Sequence, residues 1–197
     1  MEIDKKIEAL ESIEEESIFC TTAMMTYNPS IGRVMQKGGV DKFVNISWEA
    51  LKNVSQITSL VEFDKWHNQY VREIISQIGQ TSKGKTISYG QAQKPINVFL
   101  KVYIDWMNKP NLNIAENMRN YLHVPIDSVV MKCIGRYYPS IYQKYNLSKS
   151  PLSKINEIRY NKWQECFREI SPVKPLLIDG FWSIERFREI LKKIAVK

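Results

Sequence analysis

The chain offers little of what metal or thiol chemistry requires. Its 197 residues hold three cysteines, Cys20, Cys133 and Cys166, at unrelated spacings without a CxxC pair, and only two histidines, His67 and His123. That inventory excludes the usual zinc and dithiol motifs and predicts three reduced, structural thiols, with no metal and no cofactor. No run of 18 or more apolar residues exists, so no partner membrane is expected. The first residues, MEIDKKIEALESIEEES, are acidic where a secretory signal would be basic and then apolar. The expectation is an intracellular, cytoplasmic protein, and the lysine-rich composition fits an AT-rich prokaryotic genome. No internal repeat, low-complexity tract or alternating strand pattern is visible.

Positive charge is present in excess, and unevenly. The net charge is +7. Residues 1 to 19 carry seven acidic side chains against Lys5 and Lys6, so the rest of the chain bears about +12. A pI near 9.2, with Lys and Arg interleaved among Tyr and Trp, is the electrostatic footprint of a nucleic-acid binder, because phosphate neutralisation supplies most non-specific affinity. A solvated basic face explains the same composition nearly as well.

Apolar spacing reads as helix almost throughout. Ile3, Ile7, Leu10 and Ile13 recur at steps of three and four, which predicts an amphipathic acidic helix docking one face on the body. A looser stretch with Pro29, Gly32, Gly38 and Gly39 follows. Asn45 or Ser47 then caps a helical region through Leu51, Val54 and Ile57 that breaks near Ser59 to Glu62. FDKWHNQYVREIISQI puts Phe63, Trp66, Tyr70, Ile74 and Ile78 on one side and ends at Gly79. A short linker, GQTSKGKTISYGQ, leads into YGQAQKPINVFLKVYIDW, which Asn108, Lys109 and Pro110 stop. NLNIAENMRNYLHVP reads as a connector into IDSVVMKCIGRYY, and prolines punctuate two further helices, SKINEIRYNKWQECFREI and FWSIERFREILKKIAVK. The fold expected is all-α, a compact bundle of about seven or more helices. It forms a single domain, or two lobes at about 1–78 and 79–197.

Two stretches stand out, AQKPINVFLKVY around Lys94 and LHVPIDSVVMKCIG around Asp127. Together they resemble the active-site segments of the helix-hairpin-helix DNA glycosylase superfamily, and in pattern the archaeal 8-oxoguanine DNA glycosylases. In that branch a lysine opens a helix after a glycine-containing hairpin, and a Val-Pro-(Val or Ile)-Asp segment opens a later one. Gln93 and Lys94, a second lysine seven residues on at Lys101, VPID from Val124 to Asp127, and the 33-residue separation of Lys94 from Asp127 carry the likeness. It covers roughly residues 79–138. It implies a helix-hairpin-helix-type element near residues 70–107 and a DNA glycosylase with AP-lyase activity that removes an oxidised or modified purine. Lys94 would be the nucleophile and Asp127 its acidic partner. The hairpin departs from the family pattern by lacking Gly-x-Gly between Gly84 and Gly90, and Pro95 directly follows the lysine.

The chemistry asks for these residue types. A neutral lysine amine attacks the anomeric carbon and collapses to a Schiff base that permits strand scission. Desolvation at an apolar helix mouth and the charge of Lys101 would favour the neutral form. The aspartate would stabilise the oxocarbenium-like sugar or shuttle protons. The partner implied is double-stranded DNA with the target base flipped out, bound by a monomer. Trp66, Trp106 and Trp182, with Phe181, are candidates to stack on that base, and His67 and His123 to hydrogen-bond it. Lys83, Lys85, Lys132 and Arg136 flank both motifs as a phosphate-contacting rim. Plainer roles stand beside these: a surface lysine whose stem covers apolar neighbours, an aspartate cap, core tryptophans and structural histidines. Two rival readings remain, a HEPN-like helical ribonuclease using Arg119 and His123 of RNYLH, and a non-enzymatic basic helical module binding nucleic acid or protein.

Overall fold

In a computed structural model of the chain, residues 2–195 are described, with side-chain detail for 10–188 apart from 186. Nine α-helices lie among the described residues: α1 (Glu2–Tyr27), α2 (Gly39–Leu51), α3 (Leu60–Ile78), α4 (Tyr89–Leu100), α5 (Leu112–Arg119), α6 (Ser128–Tyr137), α7 (Pro139–Lys144), α8 (Glu157–Ile170) and α9 (Gly180–Ala195). Pairing between extended segments there amounts to two isolated bridges, Met35 with Thr81 and Gln80 with Thr86. The fold is all-α.

The core is organised around α4. Ten of its residues are buried, including Ala92, Ile96, Phe99 and Leu100, while Lys94 and Val98 are half-buried. It packs against α1, α3 and α8, and Phe99 meets Phe19 and Phe43 edge to face at 5.6 and 6.0 Å. A helix covered on several sides must be apolar nearly all round. Lys94, and Lys101 in the π-helical turn Lys101–Trp106 that continues the helix, are exceptions to that rule in need of partners.

Several boundaries differ from the sequence expectation. The first helix is a single run of 26 residues and docks through its C-terminal half, where Phe19, Ala23 and Tyr27 are buried. Leu10 and Ile13 are 66% and 62% exposed, so the acidic half does not bury the stripe its spacing suggested. The side chains of Ile3 and Ile7 lie outside the described residues. The second helix starts at Gly39, so Asn45 and Ser47 sit inside it; Ser47 instead donates to Phe43 O at 2.6 Å and accepts from the buried Tyr70 hydroxyl. The break expected near Ser59 comes earlier, at Lys52, and Ser59 caps α3 by accepting from Glu62 N.

α3 ends at Gly79, whose φ of 77° is the left-handed region that glycine enters without a steric penalty. A tight turn follows, closed by Thr81 N donating to Lys85 O at 2.8 Å. α4 then opens on a capping box, with Ser88 accepting from Gln91 N and the Gln91 side chain accepting from Ser88 N. The helix thus begins five residues before Lys94. Lys94 is a second-turn residue rather than a mouth residue, and Pro95 lies inside the helix. The NLNIAENMR connector is itself helical, as α5, capped by Asn111 accepting from Ile114 N.

Candidate functional site

Lys94 and Asp127 meet. Lys94 Nζ lies 3.5 Å from Asp127 Oδ2, with side chains only 19% and 12% exposed. Asp127 is held rigidly, because its Oδ1 accepts from Val129 N and Val130 N, both at 2.9 Å, as the N-cap of α6. One oxygen caps the helix and the other faces the ammonium. The cap and the acidic-partner readings are therefore not rivals. Pro125 biases the residue before it toward extended backbone, and Asp127 is itself extended, with φ −146° and ψ 177°, as an N-cap requires.

A second lysine–carboxylate pair adjoins the first. Lys101 Nζ sits 2.5 Å from Asp179 Oδ2 and 4.4 Å from the centroid of the Trp106 ring, whose residue is 62% exposed. Burial pushes the Asp179 carboxyl above its ordinary range, opposed by Lys101; Asp127 adds to the upward push and Lys94 counters it. The four groups share one electrostatic neighbourhood, with matched formal charges. Lys101 is thus satisfied by Asp179 instead of acting as a bare cation beside Lys94. Asp179 was not singled out from the sequence; an aspartate just before Gly180 and the C-terminal helix gives no hint of a partner 78 positions earlier.

His67 and His123, expected at the substrate, form a separate cluster. Their ring centroids are 4.5 Å apart. His67 Nε2 donates to Asn97 Oδ1 at 2.6 Å, Asn97 Nδ2 donates to Tyr160 at 2.9 Å, Tyr160 donates to His123 Nδ1 at 2.8 Å, and His123 Nε2 donates to Asp64 Oδ1 at 2.8 Å. Burial holds both imidazoles well below their ordinary pKa, and the Arg168 charge adds to this at both rings. Asn97 and Tyr160 were missed for want of any signal beyond helical spacing.

The remaining predicted residues spread over the molecule. Trp66 belongs to the α2–α3 interface, donating Nε1–H to Ala50 O at 3.0 Å. Trp182 is exposed on α9. Lys83 and Lys85 are exposed on the turn before α4, and Lys132 and Arg136 on the outer side of α6. Arg119 pairs with Asp105 at 3.3 Å, while His123 Nε2 meets Asp64 Oδ1 at 2.8 Å. Among the described residues no group of three or more His, Cys, Asp or Glu side chains could hold a metal ion, and no helix is long and apolar enough to cross a membrane. Cys20 is exposed, Cys133 and Cys166 are buried, and all three are free thiols. Comparison with known protein families, curated proteins and solved structures finds no match.

Proposed function

We propose that the chain is a DNA base-excision glycosylase with associated AP-lyase activity, acting on an oxidised or modified purine. The observation that carries this reading is the 3.5 Å approach of Lys94 Nζ to Asp127 Oδ2 across 33 residues of sequence. In support, α3, the turn at 79–88 and α4 follow one another in the region where this reading expects its hairpin, and Lys83 and Lys85 stand on that turn.

The geometry suits the chemistry. With the nucleotide extruded, the free amine of Lys94 attacks C1′, the C1′–N bond breaks, and the base leaves with its electron pair and gains a proton. The sugar ring opens to an iminium between C1′ and Nζ. Loss of a C2′ proton then expels the 3′ phosphate, and water hydrolyses the Schiff base to return the lysine. Asp127 is anchored by two backbone N–H groups, so its free oxygen is pre-positioned to take the ammonium proton and to face positive charge developing on the sugar. Trp106, exposed beside Lys101, offers a flat surface on which a base can stack for about 1–3 kcal/mol.

Single-turnover base release from duplexes carrying 8-oxoguanine and a panel of other modified purines tests this. Release and strand scission by the wild type, both lost in Lys94→Gln with duplex binding intact, is the expected result. Binding without release from any duplex would leave a basic binding module.

A further inference from the structure

The first and last helices each carry apolar side chains that the folded chain leaves uncovered. On α1, positions 10, 13, 17, 20 and 24 follow steps of three and four, the a/d seam spacing of a coiled coil. Leu10, Ile13, Ser17, Cys20 and Met24 occupy them, and all five are exposed. The opposite side of the same helix, with Phe19, Ala23 and Tyr27, is the one buried against the body. On α9, Ile184 and Phe187 are 50% and 61% exposed, and Leu191 and Ile194 continue the same steps in the sequence. Phe181 anchors α9 on the rings of Tyr137 and Tyr138, at centroid distances of 5.4 and 6.4 Å. Each helix is thus fixed in its own chain while apolar side chains on it face solvent.

Apolar exposure does not choose a partner; charge does. Residues 1–19 carry a net charge of −5, and Glu14 and Glu16 border Ile13 at the e and g positions, where coiled coils place the charges that select a partner. Residues 180–197 are basic, with five Lys and Arg against Glu185 and Glu189, a net +3. Arg188 borders Phe187 at the matching e position and is largely exposed, although it also holds Glu185 at 2.9 Å within its own chain. Glu14 would face it across an antiparallel pair of helices, and Glu16 across a parallel one. Pairing α1 with a second α1, or α9 with a second α9, sets like charges across the seam, whereas α1 against α9 sets opposite ones there. Within one chain both faces stay open, so the complementary helix comes from another molecule. A two-fold axis then makes the contact twice, because the copy that receives α1 on its α9 offers its own α1 in return.

We propose that two copies of this chain form an isologous dimer through two α1–α9 contacts, Leu10 and Ile13 of one copy packing on Ile184 and Phe187 of the other. This replaces the monomer expected from the sequence. It does not depend on the glycosylase reading, since neither Lys94 nor Asp127 takes part.

The test is analytical ultracentrifugation of the full chain. The wild type should show a concentration-dependent monomer–dimer equilibrium that weakens as salt rises, because exposed charge pairs are screened. Leu10→Ser with Ile13→Ser, both at exposed positions, should keep the circular dichroism and melting temperature of the dilute protein and raise the dimer dissociation constant at least about tenfold. Charge reversal then identifies the pairing. A chain with Glu11→Lys, Glu14→Lys and Glu16→Lys, and another with Arg188→Glu, Lys192→Glu and Lys193→Glu, should each be monomeric alone and form a heterodimer when mixed. A wild type that stays monomeric at millimolar concentration, or a dimer indifferent to the Leu10 and Ile13 changes, would overturn the proposal. So would self-association of the first charge variant, which pairing of α1 with α1 would give, or failure of the two variants to combine.

Discussion

Lys94 and Asp127 are mostly withdrawn from water, and a charge kept there is expensive unless it is matched. Truncating either one strands the other. Asp127→Ala also removes the α6 cap, so it should cost about 2–4 kcal/mol of stability, read by denaturant unfolding. Asp127→Asn keeps an oxygen for the cap and should cost much less, yet it should slow base release by at least about a hundredfold, since general acid–base partners contribute that much. A variant with normal turnover would make Asp127 a cap and nothing more. The histidines carry a different prediction. Both are neutral in the folded chain because burial depresses their pKa, while in the unfolded chain they bind protons below about pH 6.5. The unfolded state then holds more protons, so stability falls as pH drops below about 6.5, by up to about 1.4 kcal/mol per pH unit for each histidine. Asp64 and Asp179, whose carboxyls burial pushes upward, act in the opposite sense, gaining stability as they protonate on acidification. Because both imidazoles are fully buried, the histidine effect should win between pH 6.5 and 5. His67→Gln should flatten the melting-temperature profile there; an unchanged profile would count against neutral buried imidazoles.

At the scale of the element, α4 explains why two lysines interrupt an apolar helix. Seven positions are close to two turns, so Lys94 and Lys101 fall on one side, where Asp127 and Asp179 wait. The lysine spacing and the VPID segment were legible in the sequence, because each is local. The meeting of Lys94 with Asp127 was not, because it depends on how α6 docks. The acidic end of α1 was misread for a related reason: periodicity locates an apolar stripe and does not say whether another element reaches it, and Leu10 and Ile13 remain exposed. Gly90 shows how tightly α4 is seated. A Cβ there would meet Leu152 O at 2.5 Å and Ile155 Cβ at 2.6 Å, and Gly90 N donates to Ile155 O at 2.9 Å. Gly90→Ala should therefore destabilise by about 1–3 kcal/mol through overpacking, seen as a lower unfolding midpoint, with base release impaired because the lysine helix is displaced.

Over the whole molecule, charge decides how DNA would be met. The body beyond residue 19 carries about +12, and Lys83 and Lys85 are exposed on the turn before α4, Lys132 and Arg136 on α6. Each phosphate contact contributes about 0.9 to the slope of log affinity against log salt on duplex DNA. Neutralising all four to glutamine should weaken duplex binding and lower that slope by about three to four units if every one touches a phosphate. An unchanged slope would make them a solvated face. The all-α class followed from periodicity alone, whereas the two side-chain clusters needed three dimensions, since Asn97, Tyr160 and Asp179 carry no motif. The most direct measurement of the central claim is borohydride trapping of the protein on duplexes containing 8-oxoguanine or another modified purine. A covalent adduct that forms in the wild type and disappears in Lys94→Gln is the predicted result; no adduct with any such duplex, or one that survives the loss of Lys94, would contradict it.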